Sequence, residues 1–154
     1  MTRRIALLVA TSMVLASPAA ARADGVAIGA FLGEPTGFDV LLGLRGRAAL
    51  DIVLGVTSLR DGGRDTSYGH VTYLHTLTVA RGRAVRVPVR VGIGGALSSV
   101  VEGNVQVAAR APLQVGLQFR GSGLELYGEL SFVLRLIDDV DADVDGGIGL
   151  RVAL

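Results

Sequence analysis

The sequence predicts an all-β fold, an eight-stranded antiparallel up-and-down (meander) barrel, from three observations. Apolar and polar residues alternate with a period of two along much of the chain, which is the pattern of a strand and not of a helix. Short turn signals separate the alternating segments, so consecutive strands are expected to be antiparallel neighbours. Eight strands in one open sheet would leave two unpaired edges, and closure into a barrel removes both of them.

The strands follow in chain order from this alternation. Residues 26–33 and 38–44 flank the turn signal Gly33-Glu34-Pro35-Thr36-Gly37. Residues 50–57 alternate clearly, whereas 68–79 is a weaker strand. Every odd position is apolar from Val85 to Ile93 and again from Val105 to Phe119. The series ends with 124–136, which is apolar at even positions apart from Gly128, and with 147–154.

The segment before the first strand has the features of a secretory signal. It combines a positive start at Arg3 and Arg4, an apolar stretch from Ile5 to Ala16, and the small-x-small pattern Ala21-Arg22-Ala23. We expect residues 1–23 to be a signal peptide and residues 24–154 to be one barrel domain. The alternative is a membrane anchor, but the apolar stretch is shorter than the roughly 20 residues that a spanning helix needs.

Composition excludes several classes of function. The chain has no Cys, so disulfides, thiolate metal sites and thiol nucleophiles are excluded. All 15 basic residues are Arg and the formal net charge is +1, so nucleic-acid binding is not expected. Removal of residues 1–23 takes away three of these Arg, which leaves 12 against 14 acidic residues and a net charge of −2.

The direction of the apolar face decides the class of protein. The polar face has no Lys and many glycines, which suit the narrow interior of an eight-stranded barrel better than a solvated strand surface. These glycines are Gly29, Gly43, Gly55, Gly92, Gly94, Gly116, Gly147 and Gly149. The best apolar faces are long enough for the roughly 9 to 11 residues of a membrane strand. We therefore expect a transmembrane β-barrel with its apolar face toward lipid.

The connections have a matching asymmetry. Three of them are short: Arg45-Gly46-Arg47, Arg81-Gly82-Arg83 and residues 120–123. The connections near 60–67, 98–104 and 138–145 are longer and contain acidic residues, among them Asp61, Asp65 and Glu102. Short periplasmic turns and longer outer loops are typical of outer-membrane barrels, so the longer loops are expected to face outward.

Several local motifs resemble those of an uncharacterised family of small Gram-negative outer-membrane β-barrels, OmpA/OmpX-like in architecture. They are Gly33-Glu34-Pro35-Thr36-Gly37, Pro88-Val89-Arg90-Val91-Gly92-Ile93-Gly94-Gly95, Arg110-Ala111-Pro112, Tyr127-Gly128-Glu129 and Gly149-Leu150-Arg151. The resemblance spans most of the chain after residue 23. It implies an outer-membrane location, contact with membrane lipid and lipopolysaccharide, and assembly by the outer-membrane insertion machinery. It implies no known catalytic activity.

Charged residues on the polar face are expected to form an interior ion-pair cluster. The cluster consists of Asp39, Asp51, Arg86, Arg90, Arg110, Glu125, Glu129, Arg135 and Arg151. Enclosed charges are costly unless they are paired, and the guanidinium fork suits carboxylates. We expect Glu129 at mid-depth with Arg90 and Arg110. The cluster is interpreted as a structural plug, because eight strands leave no open lumen, and the alternative is a gate over a narrow conduit.

Other patterns carry little chemistry. His70 and His75 are five residues apart and lie on opposite faces of a strand, so they share no metal. A lipid hydrolase using one of them with Ser67 or Thr72 is a minor alternative. Asp141, Asp143 and Asp145 match the start of a calcium loop, but Val152 occupies the position of the bidentate Glu, so a solvated acidic loop is favoured. No cofactor motif is apparent, since the run Gly92-x-Gly94-Gly95 lies inside a strand.

The sequence therefore predicts a non-enzymatic integral outer-membrane barrel with a structural or surface-interaction role. An extracellular partner is not readable from the chain. The main alternative is a soluble periplasmic lipocalin-like barrel that binds a small apolar ligand. Seven aromatic residues and no Trp make a poor interfacial girdle, and this observation favours the alternative.

Overall fold

The computed structural model describes residues 25–57, 66–99, 105–137 and 140–154. These ranges form eight strands: β1 (Gly25–Gly33), β2 (Thr36–Gly43), β3 (Ala48–Thr57), β4 (Thr66–Arg81), β5 (Val85–Ser99), β6 (Val105–Phe119), β7 (Leu124–Arg135) and β8 (Asp141–Ala153). Each strand pairs antiparallel with the next, and β8 pairs antiparallel with β1, so the sheet closes into a barrel. The predicted all-β, eight-stranded antiparallel meander is confirmed. The segment 1–23, expected to be a signal peptide, lies outside the described residues.

Apolar side chains on alternate positions point away from the barrel axis. Ile93 is 69% exposed, Leu130 is 59% exposed and Val115 is 43% exposed. Their polar neighbours on the opposite face are enclosed, and Arg110, for example, is only 2% exposed. The period-two pattern of the sequence therefore separates an apolar exterior from a polar interior.

The interior is narrow and contains few apolar side chains. Phe31, Val53 and Tyr127 form its buried apolar cluster, and the Phe31 and Tyr127 rings stack with centroids 5.9 Å apart. Gly37 and Gly55 lie opposite each other on β2 and β3, and a Cβ on either would overlap the backbone of the facing strand. These glycines allow the close approach that an eight-stranded barrel requires.

The two ends of the barrel differ. We call one the turn end; it has the connections 44–47, 82–84 and 120–123, and Gly46 and Gly121 adopt φ values of 79° and 88° there. Such left-handed conformations favour glycine. We call the opposite end the loop end; it has the connections 34–35 and 136–140, and also 58–65 and 100–104, which lie outside the described residues.

The last strand begins earlier than the sequence analysis predicted. Asp141, Asp143 and Asp145 were expected in a loop, but β8 starts at Asp141 rather than at Gly147. The reason is that these acids themselves alternate, with Ala142 and Val144 between them, and pair in register with the end of β7. The predicted outer loop 138–145 is correspondingly shorter. The other predicted strands overlap the observed ones, and β4 contains a bulge between Thr76 and Thr78.

Candidate functional site

The candidate site is a set of buried ion pairs across the middle of the barrel. Its first group is centred on Arg151 of β8. The Arg151 Nε lies 2.5 Å from the Asp39 Oδ2 of β2, and its Nη2 lies 2.7 Å from the Asp51 Oδ1 of β3. The three residues are 0–1% exposed. The fork of a single guanidinium therefore bridges two carboxylates in an enclosed position.

Sequence details of β1 and β7 make this arrangement possible. Gly29 of β1 lies in register between Arg151 and Asp39, so no side chain separates the two. The Tyr127 hydroxyl donates a hydrogen bond of 2.5 Å to the Asp39 Oδ2. The Arg151 guanidinium lies 3.8 Å from the centroid of the Tyr127 ring, which adds a cation–π contact.

The second group joins three strands through Arg110 of β6. Its Nη2 donates to the Glu129 Oε1 of β7, and its Nη1 contacts the His70 Nδ1 of β4. The Arg110 Nε also donates to the Ser131 Oγ at 3.3 Å. Gln114 connects this group to the first, because its Nε2 donates to the Glu129 Oε2 at 2.6 Å and to the Asp51 Oδ2 at 3.0 Å.

The third group lies toward the turn end. Arg90 of β5 makes two bonds to Glu125 of β7, at 2.5 and 3.2 Å, and Gln118 donates to the same carboxylate at 2.8 Å. These partners lie on either side of β6, where Gly116 leaves the space between them open. A Cβ at Gly116 would lie 2.7 Å from the Glu125 Oε1.

Seven of the nine predicted cluster residues thus meet in the interior. They are Asp39, Asp51, Arg90, Arg110, Glu125, Glu129 and Arg151. Arg135 is half-buried at the loop end, 3.7 Å from both Asp141 and Asp143. Arg86 is exposed at the turn end. Arg90 was expected to lie with Glu129 but pairs with Glu125 instead. The reason is that Gln114 occupies the position in register between Arg90 and Glu129.

The cluster also contains residues that sequence reasoning did not assign to it. His70, Gln114 and Tyr127 are 0–3% exposed and all contact charged partners. Gln114 is on the same face of β6 as Arg110, and Tyr127 is on the same face of β7 as Glu129. The alternation of each strand could therefore have placed both residues in the interior. His70 lies in a strand with weak alternation, so its direction was not readable.

The residues considered for a lipid hydrolase are divided between the two faces of β4, since Ser67 and His75 are exposed whereas His70 and Thr72 are buried. Ser67 and His75 are both exposed, and they are eight residues apart along β4, about 26 Å at the usual rise of a strand. Thr72 is buried on the opposite face from His75. Asp141, Asp143 and Asp145 were considered as calcium ligands. Within the described ranges, they belong to no group of three or more His, Asp or Glu side chains that could hold a metal ion.

Cavities lie on both sides of the ion-pair cluster. At the turn end, one of about 610 Å³ is lined by residues that include Arg86, Gln118 and Glu125, and one of about 480 Å³ by residues that include Arg81 and Gln118. At the loop end, a cavity of about 320 Å³ is lined by Arg135, Asp143 and other residues. The charged groups therefore occupy the barrel between two open mouths.

Comparison with known proteins gives no relative: no family model matches the chain, and neither the curated proteins nor the solved structures include a significant match. Among the described residues, no helix is long and apolar enough to cross a membrane.

Proposed function

We propose that this protein is an integral outer-membrane β-barrel with a structural or surface-interaction role and no catalytic activity. The observation that carries the proposal is the apolar exterior, which runs around the barrel. Large apolar side chains are exposed on each of the eight strands, among them Leu32, Phe38, Leu54, Val71, Ile93, Leu113, Leu130 and Ile148. Their removal from water by lipid would be strongly favourable, whereas soluble monomers rarely expose a continuous apolar surface of this size.

The interior supports a structural role for the cluster. Guanidinium and carboxylate groups from β2, β3, β5, β6, β7 and β8 are paired in it at short distances. Such contacts tie non-adjacent strands together across the axis, and they leave little open space at mid-depth. In this proposal the ion-pair cluster is a structural plug of the barrel rather than a gate over a narrow conduit.

The location and partners belong to the same proposal. Residues 1–23 would direct export and be removed, and the barrel would then be assembled by the outer-membrane insertion machinery. The turn end would face the periplasm, because short connections are found there in this class of barrel. The loop end would face outward, next to lipopolysaccharide, and offer any surface for an extracellular partner.

The soluble lipocalin-like barrel receives less support. A barrel of that kind needs an apolar interior for its ligand. Among the residues that the structure describes, the interior contains seven charged side chains that are at most 8% exposed, and large apolar side chains point outward.

Cell fractionation tests the proposal. We expect the full chain, expressed in a Gram-negative host, to appear in the outer-membrane fraction and to need detergent for extraction. The extracted protein should migrate differently on a gel before and after boiling, as a folded barrel does. Recovery of folded protein from the detergent-free periplasmic fraction would instead support the soluble alternative.

A further inference from the structure

The turn end carries an excess of positive charge that the interior cluster does not use. The described ranges place six exposed arginines there: Arg45, Arg47, Arg81, Arg83, Arg86 and Arg120. In the described part of the chain, Glu125 is the only acidic residue lining either of the two turn-end cavities. Its carboxylate is already engaged by Arg90 and Gln118. Within the described ranges, no further acidic side chain lines these cavities to neutralise the arginines that face them.

Three of these arginines share the face that points toward the axis. Arg81 of β4 and Arg86 of β5 are direct partners in the antiparallel register. Their side chains extend from the same face, with Cβ atoms about 4.5–5.5 Å apart. Arg86 is also the register partner of Gln118 on β6. The Arg120 amide donates to the Ala84 carbonyl at 3.0 Å, which continues this ladder and places Arg120 on the face of Gln118.

Like charges directly opposite each other on a sheet are destabilising. The pair Arg81 and Arg86 is therefore unfavourable in the barrel alone, and an anion between the two guanidinium groups would remove the repulsion. The two cavities provide the space for one. Arg86 and Arg120 line the larger cavity, Arg81 lines the smaller cavity, and Gln118 lines both.

The geometry points to an anion site in the turn-end mouth, in which Arg81, Arg86 and Arg120 bind a phosphate group. Guanidinium forks match phosphate oxygens in pairs, and three positive charges suit a group that carries up to two negative ones. The phosphate comes either from a lipid headgroup or from a free phosphate ion. The site goes beyond the proposed structural role and does not depend on it.

Titration calorimetry with the purified full-length barrel tests the site. Dodecyl maltoside keeps the protein in solution and contains no phosphate, and the same titration runs without detergent if the protein proves soluble. Separate titrations use inorganic phosphate, dihexanoyl phosphatidic acid and, as a lipid without net charge, dihexanoyl phosphatidylcholine. We expect saturable binding of phosphatidic acid or inorganic phosphate, and the one that binds more tightly identifies the source.

Matched variants separate a built site from general attraction to a positive surface. Arg86→Gln should weaken binding about tenfold or more, since one charge-assisted hydrogen-bonding group is lost. Arg83→Gln removes the same charge from the same end but lines neither cavity, so its affinity should stay within about twofold of the wild type. Arg86→Lys keeps the charge without the fork and should give an intermediate loss.

Three results would overturn the inference. They are the absence of saturable binding by the wild type, equal weakening by Arg86→Gln and Arg83→Gln, and equal affinity for phosphatidylcholine and phosphatidic acid with no binding of inorganic phosphate. Far-ultraviolet circular dichroism confirms that each variant is folded before titration, with or without detergent. Cell fractionation tests the outer-membrane proposal separately, so failure of this site stays distinct from failure of that proposal.

Discussion

Arg151 is a fully buried charged side chain at the centre of the barrel. Removing a guanidinium from water costs several kcal/mol, and that cost is offset only where opposite charges and hydrogen bonds surround it. Asp39 and Asp51 supply two carboxylates at 2.5 and 2.7 Å, and the Tyr127 ring covers one face. The buried guanidinium is therefore stabilised by side chains from three other strands, β2, β3 and β7.

Loss of this one side chain should be costly. Arg151→Gln leaves two buried carboxylates without their cation, and we expect the free energy of unfolding to fall by about 3–5 kcal/mol. Urea titration of the folded barrel, monitored by the gel shift on boiling, measures this change in the free energy of unfolding. The triple variant Asp39→Asn, Asp51→Asn, Arg151→Gln removes all three charges together and should recover part of the loss.

Arg135 gives the comparison for an open position. Its pairs with Asp141 and Asp143 are longer, at 3.7 Å, and it is half-buried. Arg135→Gln should therefore change stability by only about 0–1 kcal/mol. Equal losses for Arg135→Gln and Arg151→Gln would contradict the role assigned to the central cluster.

At the scale of the strands, glycines decide which large side chains fit inside. Tyr127 of β7 lies directly over Gly149 of β8, its partner in register. A Cβ at Gly149 would overlap the Tyr127 ring. The phenol can reach Asp39 only because this inner position of β8 has no side chain.

Gly149→Ala should thus destabilise the barrel by about 1–3 kcal/mol, because the ring must move from a well-packed position. Gly128→Ala is the matched control: it lies on the adjacent strand, and no atom lies within 4 Å of a Cβ built there. Thermal unfolding of both variants measures the difference. A neutral Gly149→Ala would show that the ring does not need this space.

The strands themselves were largely predictable from the sequence. Alternation in segments such as Val105 to Phe119 identifies both the strand and its two faces, because side chains of a strand point to opposite sides. The start of β8 was missed since an acidic run has the composition of a loop, although its period of two is that of a strand.

The pairing within the site was less predictable than the strands. Each contact across the interior depends on strand register and on the side chains between the partners, and single-strand patterns specify neither. Arg90 illustrates the point. The Gln114 side chain lies between Arg90 and Glu129, whereas Gly116 has no side chain between Arg90 and Glu125. Only the closed barrel brings these positions together.

At the scale of the whole molecule, charge is distributed unevenly along the axis. The described arginines outside the central cluster lie mostly at the turn end, and Glu34, Asp141, Asp143 and Asp145 lie at the loop end. The apolar exterior separates the two ends. A protein with one orientation in a membrane would present a basic surface on one side and an acidic surface on the other, which is consistent with the proposed topology.

The exterior itself provides the sharpest test of the membrane proposal. Leu130 lies near the middle of β7, points outward and is 59% exposed. In a bilayer, Leu130→Arg would place a charge near the midplane, and we expect it to lower the free energy of unfolding by about 2–4 kcal/mol. Leu136→Arg makes the same exchange just beyond the loop end of β7, where an interface reduces the cost to about 0–1 kcal/mol. Guanidinium unfolding of both variants in phospholipid vesicles measures the depth dependence. A soluble barrel would tolerate both substitutions equally, because water solvates an arginine at either position, and equal small effects would therefore count against insertion.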